Sequence, residues 1–243
     1  MTDPETLPEG SIKLFRTTEH DCSYLADRQS RTLFLDPDLA VTLDLYEQLT
    51  QAGFRRSGKH LFRPDCKTCH ACIPSRVPIQ DFQKKKSQQR IWNKNQDIQV
   101  SVQPCVFRQA DYDLFERYIA QRHADGEMFP ASEATYSDFL AINNEFSFQL
   151  HLTLDDRLVG VAVTDQLPTG LSAVYTFFDP DLDKRSLGVF SILSQIHLAQ
   201  QLGLPYLYLG YWVPGCRKMQ YKTQYQPTEL LIDGQWQALE QRA

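Results

Sequence analysis

Three consecutive segments of strand-like patterning constrain this chain more than any other feature. Phe146–Leu154 places an apolar residue at every second position, and Leu158–Val163 and Leu171–Phe178 read the same way. That is the period of strands with a buried face. Asp155-Asp156 and Pro168-Thr169-Gly170 separate them, and connections that short join antiparallel neighbours. After Asp179-Pro180 the period lengthens to that of a helix from about Ser186 to Leu202, stopped by Gly203. Pro205–Leu209 then reads as a buried strand, and Glu229–Ile232 with Gln235–Trp236 as a closing hairpin around Asp233-Gly234. The order strand, strand, strand, helix, strand predicts an α+β domain built on a mixed sheet.

The part before this block is organised differently. The polar, acidic stretch MTDPETLPEG reads as a frayed tail rather than a secretory signal, leading to a first strand near Leu14–Phe15. Asp36-Pro37-Asp38 opens a helical run that ends at Gly53, and a hairpin with its turn at Ser57-Gly58 follows. Arg76–Ile79 is short and extended, Ser87–Asn95 helical, and Ile98–Val102 a half-buried strand. Ala110–His123 and Ser132–Ile142 read as two further helices. The expected division is a smaller N-terminal α+β module over 1–106 and a catalytic domain over 107–243. No stretch approaches the roughly 18–20 apolar residues that span a bilayer, so a cytoplasmic protein without a membrane partner is expected.

Charge separates the two parts further. The chain carries −5 overall, yet Arg55–Lys94 holds eleven basic residues against Asp65 and Asp81, a local +9 that leaves −14 elsewhere. A basic surface on an acidic body suits a phosphate-backbone partner. Lys84-Lys85-Lys86 and Arg90 are its densest stretch and the candidate nucleic-acid contacts. Ser186-Leu187-Gly188, preceded by Arg185, opens the long helix, and backbone N–H groups at such a start suit an anion. This Arg-x-x-Gly resembles the acyl-CoA loop of GCN5-related acetyltransferases, with Phe190 where a small residue is usual.

Three segments together carry a more specific resemblance. They are Cys69-His-Ala-Cys72-Ile-Pro-Ser-Arg76-Val, Ala173-Val-Tyr175-Thr-Phe-Phe-Asp179-Pro180, and Tyr208-Leu-Gly-Tyr211-Trp212 through Lys218-Met-Gln-Tyr221-Lys222 to Pro227-Thr-Glu229. From about Phe15 to Trp236 the chain resembles the arginyl-tRNA–protein transferase family, and most closely its bacterial, leucine-transferring branch. The resemblance implies an acetyltransferase-like fold for the C-terminal domain. It also implies an aminoacyltransferase of the N-degron pathway, which moves an amino acid from aminoacyl-tRNA to the N-terminus of proteins beginning with Asp or Glu. Arginine in place of leucine, or acetyl-CoA as acyl donor, are the alternatives.

Such a reaction starts from an activated ester and needs positioning and removal of one proton. An α-amine with a pKa of roughly 7.7–8.0 needs little help to become nucleophilic. On this footing Asp179, Tyr175, Lys218 and Tyr221 are the candidate catalytic residues. Arg76 and Lys222 are candidate cations for the acceptor carboxylate, and Ser186, Leu187, Gly188, Tyr24 and Trp212 candidate substrate contacts. Tyr208 is assigned to the core, and Cys216 is left structural.

No cofactor is required by this chemistry. The spacing of Cys66, Cys69 and Cys72 is nevertheless metal-like. The resemblance adds that eukaryotic relatives carry a Cys-Gly-Tyr-Cys element that contributes to a metal or iron–sulfur site. The matching stretch here is Cys22-Ser23-Tyr24-Leu25, so Leu25 removes one ligand. Cys22, Cys66, Cys69 and Cys72 leave two readings open: four sulfur ligands for zinc or an iron–sulfur cluster, or thiols near the active site.

Overall fold

The computed structural model describes residues 12–126 and 128–239; the N-terminal tail lies outside them. In chain order the elements are β1 (Leu14–Arg16), β2 (His20–Asp21), β3 (Gln29–Ser30), β4 (Thr32–Leu35), α1 (Leu43–Gln51), β5 (Arg55–Ser57), β6 (His60–Pro64), β7 (Ile73–Pro78), α2 (Lys86–Lys94), β8 (Gln99–Pro104), α3 (Gln109–Arg122), α4 (Glu133–Leu140), β9 (Ser147–Leu154), β10 (Arg157–Leu167), β11 (Gly170–Phe178), α5 (Leu187–Gln201), β12 (Tyr206–Trp212), β13 (Glu229–Ile232) and β14 (Gln235–Ala238). Short 3-10 segments cover Pro180–Arg185 and Arg217–Gln224. No helix among the described residues is long and apolar enough to cross a membrane.

The fold is mixed α+β. Its centre is an eight-stranded sheet in the order β14-β13-β7-β12-β11-β10-β9-β8, and a four-stranded sheet β1-β4-β6-β5 stands beside it. The meander β9-β10-β11 is antiparallel, as the alternation requires. Among the described residues only β11 and β12 run parallel, because α5 carries the chain back across the sheet between them. The division expected at residue 106 does not follow the sheet. β7 and β8 precede it, yet β7 lies between β12 and β13 and β8 forms the far edge.

Two local expectations need correction. The helix expected to open at Asp36 begins at Leu43, where the Thr42 hydroxyl accepts the Leu45 N–H at 3.2 Å; Asp36 instead accepts from the Asp38 N–H in a turn. Ile98–Val102 is an edge strand with mostly exposed residues, not a half-buried one.

Packing holds the two sheets and the helices in fixed relation. On one side, Leu193 and Ile196 of α5 meet Val77, Leu171 and Leu207, with Trp92 of α2 packed against them. On α3 and α4, Phe115, Ile119, Tyr136 and Leu140 meet Val161, Val163 and Phe177. Tyr46 and Leu49 of α1 join Leu33, Leu61, Leu167 and Tyr208, which binds the small sheet to the large one. A buried ion pair locks that junction. Arg56 donates to both oxygens of Asp165 at 2.6 and 2.7 Å, and the carboxylate also accepts from the Tyr46 hydroxyl at 2.7 Å and from Ser147 at 2.6 Å. Four hydrogen bonds to one buried carboxylate satisfy it fully, the condition under which such a pair can stay buried.

Candidate functional site

The parallel pairing of β11 with β12 is brief. It runs from Gly170 opposite Tyr206 to Ser172 opposite Tyr208 and then ends, while both strands continue. The strands part at Ala173 and Gly210. Arg55 of β5 reaches into the opening and donates from Nη2 to the Ala173 carbonyl at 2.7 Å. Lys222 arrives from the 3-10 segment that follows β12. A Cβ placed on Gly210 would lie 3.2 Å from Lys222 Nζ and 3.4 Å from Arg55 Nε. The residue has φ +83°, a conformation that glycine adopts without strain. Gly210 thus lets two cations approach one stretch of backbone.

Lys222 is only 6% exposed, and among the described residues it has no ion pair and no hydrogen bond; its ammonium lies 5.8 Å from the centre of the Tyr221 ring. Burial, with the Arg55 charge adding to it, lowers its pKa to about 7; the thiols of Cys216 and Cys72 oppose the shift. Arg55 also acts electrostatically on Tyr211 and Tyr221. The Tyr211 hydroxyl is committed to the Gly53 carbonyl at 2.8 Å. Tyr175 packs edge-on against Phe115 of α3 and Phe139 of α4. Trp212 ends β12, and its buried indole N–H has no partner among the described residues.

The other expected residues do not converge there. Arg76 donates to Glu229 at 2.6 Å and to Gln51 at 3.1 Å, with its guanidinium between Tyr206 and Trp236 at 3.6 and 4.3 Å from the ring centres. A guanidinium so occupied is a pillar of the sheet, and the expectation that it grips an acceptor carboxylate gives way. Asp179 is likewise spent. It meets Arg117 at 2.9 Å and Arg157 at 3.1 Å and accepts the Asp181 N–H, closing the turn after β11. Lys218 is a surface cation 3.6 Å from Asp125, both side chains more than two thirds exposed. Ser186 takes a left-handed conformation at the start of α5, Leu187 is buried, and Gly188 fits against the Phe178 ring. Asn95 and Lys94 hold the carbonyls of Arg185 and Lys184 just ahead of that turn.

Arg55 is the residue that the sequence reading missed. In the sequence it contributes only to the local charge, and nothing local in Phe54-Arg-Arg-Ser marks it; the adjacent Arg56 carries the structural ion pair. The sole signal was two consecutive arginines on a short strand, whose side chains must point to opposite faces.

The basic stretch is exposed. Lys85, Lys86 and Arg90 face solvent, Lys84 lies 4.6 Å over the Trp92 ring, and none of the four is ion-paired among the described residues. Lysines at the N-terminus of α2 oppose the helix dipole. Their placement costs stability and leaves a site of high positive potential.

Cys22, Cys66, Cys69 and Cys72 line one cavity of about 560 Å³ between the small sheet and the ends of β7, β12 and β13, together with Tyr24, His70, Arg63 and Tyr211. Burial pushes the Cys72 thiol up to about 12, and Cys22, Cys66, Cys69 and Cys216 add to the shift. Among the described residues, no three His, Cys, Asp or Glu side chains converge on a point that a metal could occupy. The thiols share a cavity but do not fit a metal as arranged.

Comparison with known proteins adds identity to this geometry. A family model described as Arginine-tRNA-protein transferase, N terminus, matches residues 20–90, and one described as Arginine-tRNA-protein transferase, C terminus, matches residues 110–232. The aspartate/glutamate leucyltransferase of Pseudomonas fluorescens (strain Pf0-1) is 50% identical over 228 residues, 94% of this chain and 97% of that protein. The protein of the same name from Hahella chejuensis is 46% identical over 93% of this chain and 97% of its own length. Among solved structures, that of L-PGS from Bacillus licheniformis aligns over 70% of this chain and 50% of that one, with a TM-score of 0.46 and 11% identity, a likeness too slight to decide the fold class. With both halves matched and near-complete coverage of its relatives, the chain belongs to the arginine-tRNA-protein transferase family.

Proposed function

We propose that this chain transfers leucine from leucyl-tRNA to the α-amine of proteins beginning with Asp or Glu, in the cytoplasm, and so marks them for degradation. The observation that carries the reading is identity of about half, over nearly the whole chain, with proteins named aspartate/glutamate leucyltransferase. The α-amine attacks the ester carbonyl, the bond to the terminal ribose oxygen breaks, an amide forms, and the free hydroxyl of the tRNA leaves with a proton. The ester is activated already, so positioning supplies most of the rate, and the chemistry as read routes no step through a metal.

The parting of β11 and β12 favours an acetyltransferase-like arrangement. There an extended acyl donor lies between the separating strands, beside backbone groups freed from pairing. Tyr175 and Tyr221 line one side of that opening in this reading, and the unpartnered Trp212 N–H serves as a donor for substrate. Lys84, Lys85, Lys86 and Arg90 track the acceptor stem of the tRNA, with each phosphate contact adding salt dependence.

The test incubates purified protein with labelled leucyl-tRNA or arginyl-tRNA and peptides beginning with Asp, Glu or Ala. Leucine should pass to the Asp and Glu peptides and not to the Ala peptide. Transfer from arginyl-tRNA alone would replace leucine by arginine in this reading. Transfer from neither would end it.

A further inference from the structure

We propose that Arg55 and Lys222, brought together at Gly210, bind the side-chain carboxylate of the acceptor's first residue. This rests on the transfer reaction above and assigns its acidic specificity to a pair of residues on two separate elements.

Two cations at one buried stretch of backbone are an unfavourable arrangement for a resting protein, because each raises the cost of charging the other. Here the arrangement is built in. Arg55 is tethered to the Ala173 carbonyl, Lys222 is carried by the segment Arg217–Gln224, and Gly210, by lacking a Cβ, lets both approach its backbone. Elsewhere in this molecule buried arginines meet carboxylates, as Arg56 meets Asp165 and Arg76 meets Glu229. Neither Arg55 nor Lys222 has a carboxylate within ion-pair distance among the described residues. Of the side chains around them, Cys72, Tyr211 and Tyr221 are held in their neutral forms by burial. The pair therefore lacks the anion that its own charge calls for.

The burial of Lys222 selects which anion. A phosphodiester carries a sugar on each side and cannot follow Lys222 to a position only 6% exposed. A carboxylate on one or two methylenes reaches inward while the α-amine stays at the opening, near the parting of β11 and β12. The fixed guanidinium can grip the carboxylate, and the longer, flexible lysine can adjust to Asp or Glu. An Asn or Gln side chain would turn an amide N–H₂ toward one cation, leaving a buried donor unpaired. Polar mismatches of that kind discriminate strongly.

The experiment measures leucine transfer to peptides identical except for a first residue of Asp, Glu or Asn, using the full chain, Lys222→Met and Arg55→Gln. The expected result is a KM for the Asp peptide raised on the order of 100-fold in each variant. The Asp-over-Asn preference should fall toward unity, and the KM for leucyl-tRNA should stay within about twofold. Arg55→Gln, on a different element, carries the test alone if Lys222→Met does not fold. A folded variant that keeps the Asp-over-Asn preference would overturn the proposal, as would a KM change confined to the tRNA. Wild-type protein that transfers nothing to Asp or Glu peptides would instead sink the transfer reading itself, so the two failures are distinct.

Discussion

Replacing Lys222 by methionine should make this protein more stable while disabling it. Methionine keeps most of the buried stem and removes the charge. The native pKa of about 7, against 10.5 for an ordinary lysine, means the fold binds that proton less tightly than the unfolded chain does. At about 1.4 kcal/mol per tenfold change, the difference reaches a ceiling of about 5 kcal/mol. The sign follows from linkage. Above about pH 10.5 the amine is neutral in both states and costs nothing. Between about pH 10.5 and 7 the unfolded chain alone holds the proton, so the wild type loses stability as pH falls. Below about pH 7 both states are charged and the penalty is complete. Urea denaturation of both proteins at pH 6, 7.5 and 9 would read the difference directly. The methionine variant should lead by up to about 5 kcal/mol at pH 6 and by about 2 kcal/mol at pH 9. A lead that does not change with pH, or a variant less stable than wild type at pH 6, would show that Lys222 is not a strained buried ammonium. A group that destabilises the fold it occupies is characteristic of a site where function sets the sequence.

Three further outcomes follow from the geometry. Asp165→Asn leaves the Arg56 guanidinium buried without its counterion and should cost about 3–5 kcal/mol in urea unfolding; a loss below about 1 kcal/mol would mean that the pair is not buried in solution. Arg76→Met should lower the thermal midpoint, with a loss of about 2–4 kcal/mol from the Glu229 pair and the two ring contacts, and leave the KM for acceptor peptide within about twofold; a raised KM at unchanged stability would return Arg76 to the substrate site. Replacing Lys84, Lys85 and Lys86 together by alanine should weaken tRNA binding and lower the slope of log affinity against log salt by about 2–3, measured by filter binding at several salt concentrations; an unchanged slope would place the tRNA elsewhere.

The elements with clean periodicity were legible in advance. β9, with strict alternation, and α5, bounded by Asp179-Pro180 and Gly203, fall within a residue or two of their expected limits. The long-range arrangement was not. The sequence marks only Arg76–Ile79 as a short extended piece, whereas the strand spans Ile73–Pro78 and holds two prolines, residues that interior strands disfavour. β13 pairs only with Ser75 and Arg76, so both prolines fall outside the stretch flanked on both sides. The family motifs bring Lys222, Tyr221 and Tyr175 to attention, and Lys222 lies beside the Tyr221 ring. The same motifs also brought Arg76 and Asp179, whose ion pairs form with Glu229 and Arg117, 153 and 62 residues away. A motif marks residues that matter without separating those that touch substrate from those that hold the frame. Arg55 depends on a hairpin docking against β11, a contact 118 residues apart that no local pattern encodes.

The position of β7 between β12 and β13 has a consequence for how the protein is made. Synthesis runs at about 5–20 residues per second, so the strand leaves the ribosome roughly 8–30 s before both of its neighbours exist. Until β12 emerges, residues 73–78 present unpaired backbone on both sides. A chain halted before residue 206 would keep that surface permanently and be a substrate for proteolysis rather than a partial enzyme. The same topology suits the protein to reconstitution from two pieces: a fragment ending near residue 106 would supply the missing strand to a fragment beginning there, and activity would return only when both are present together.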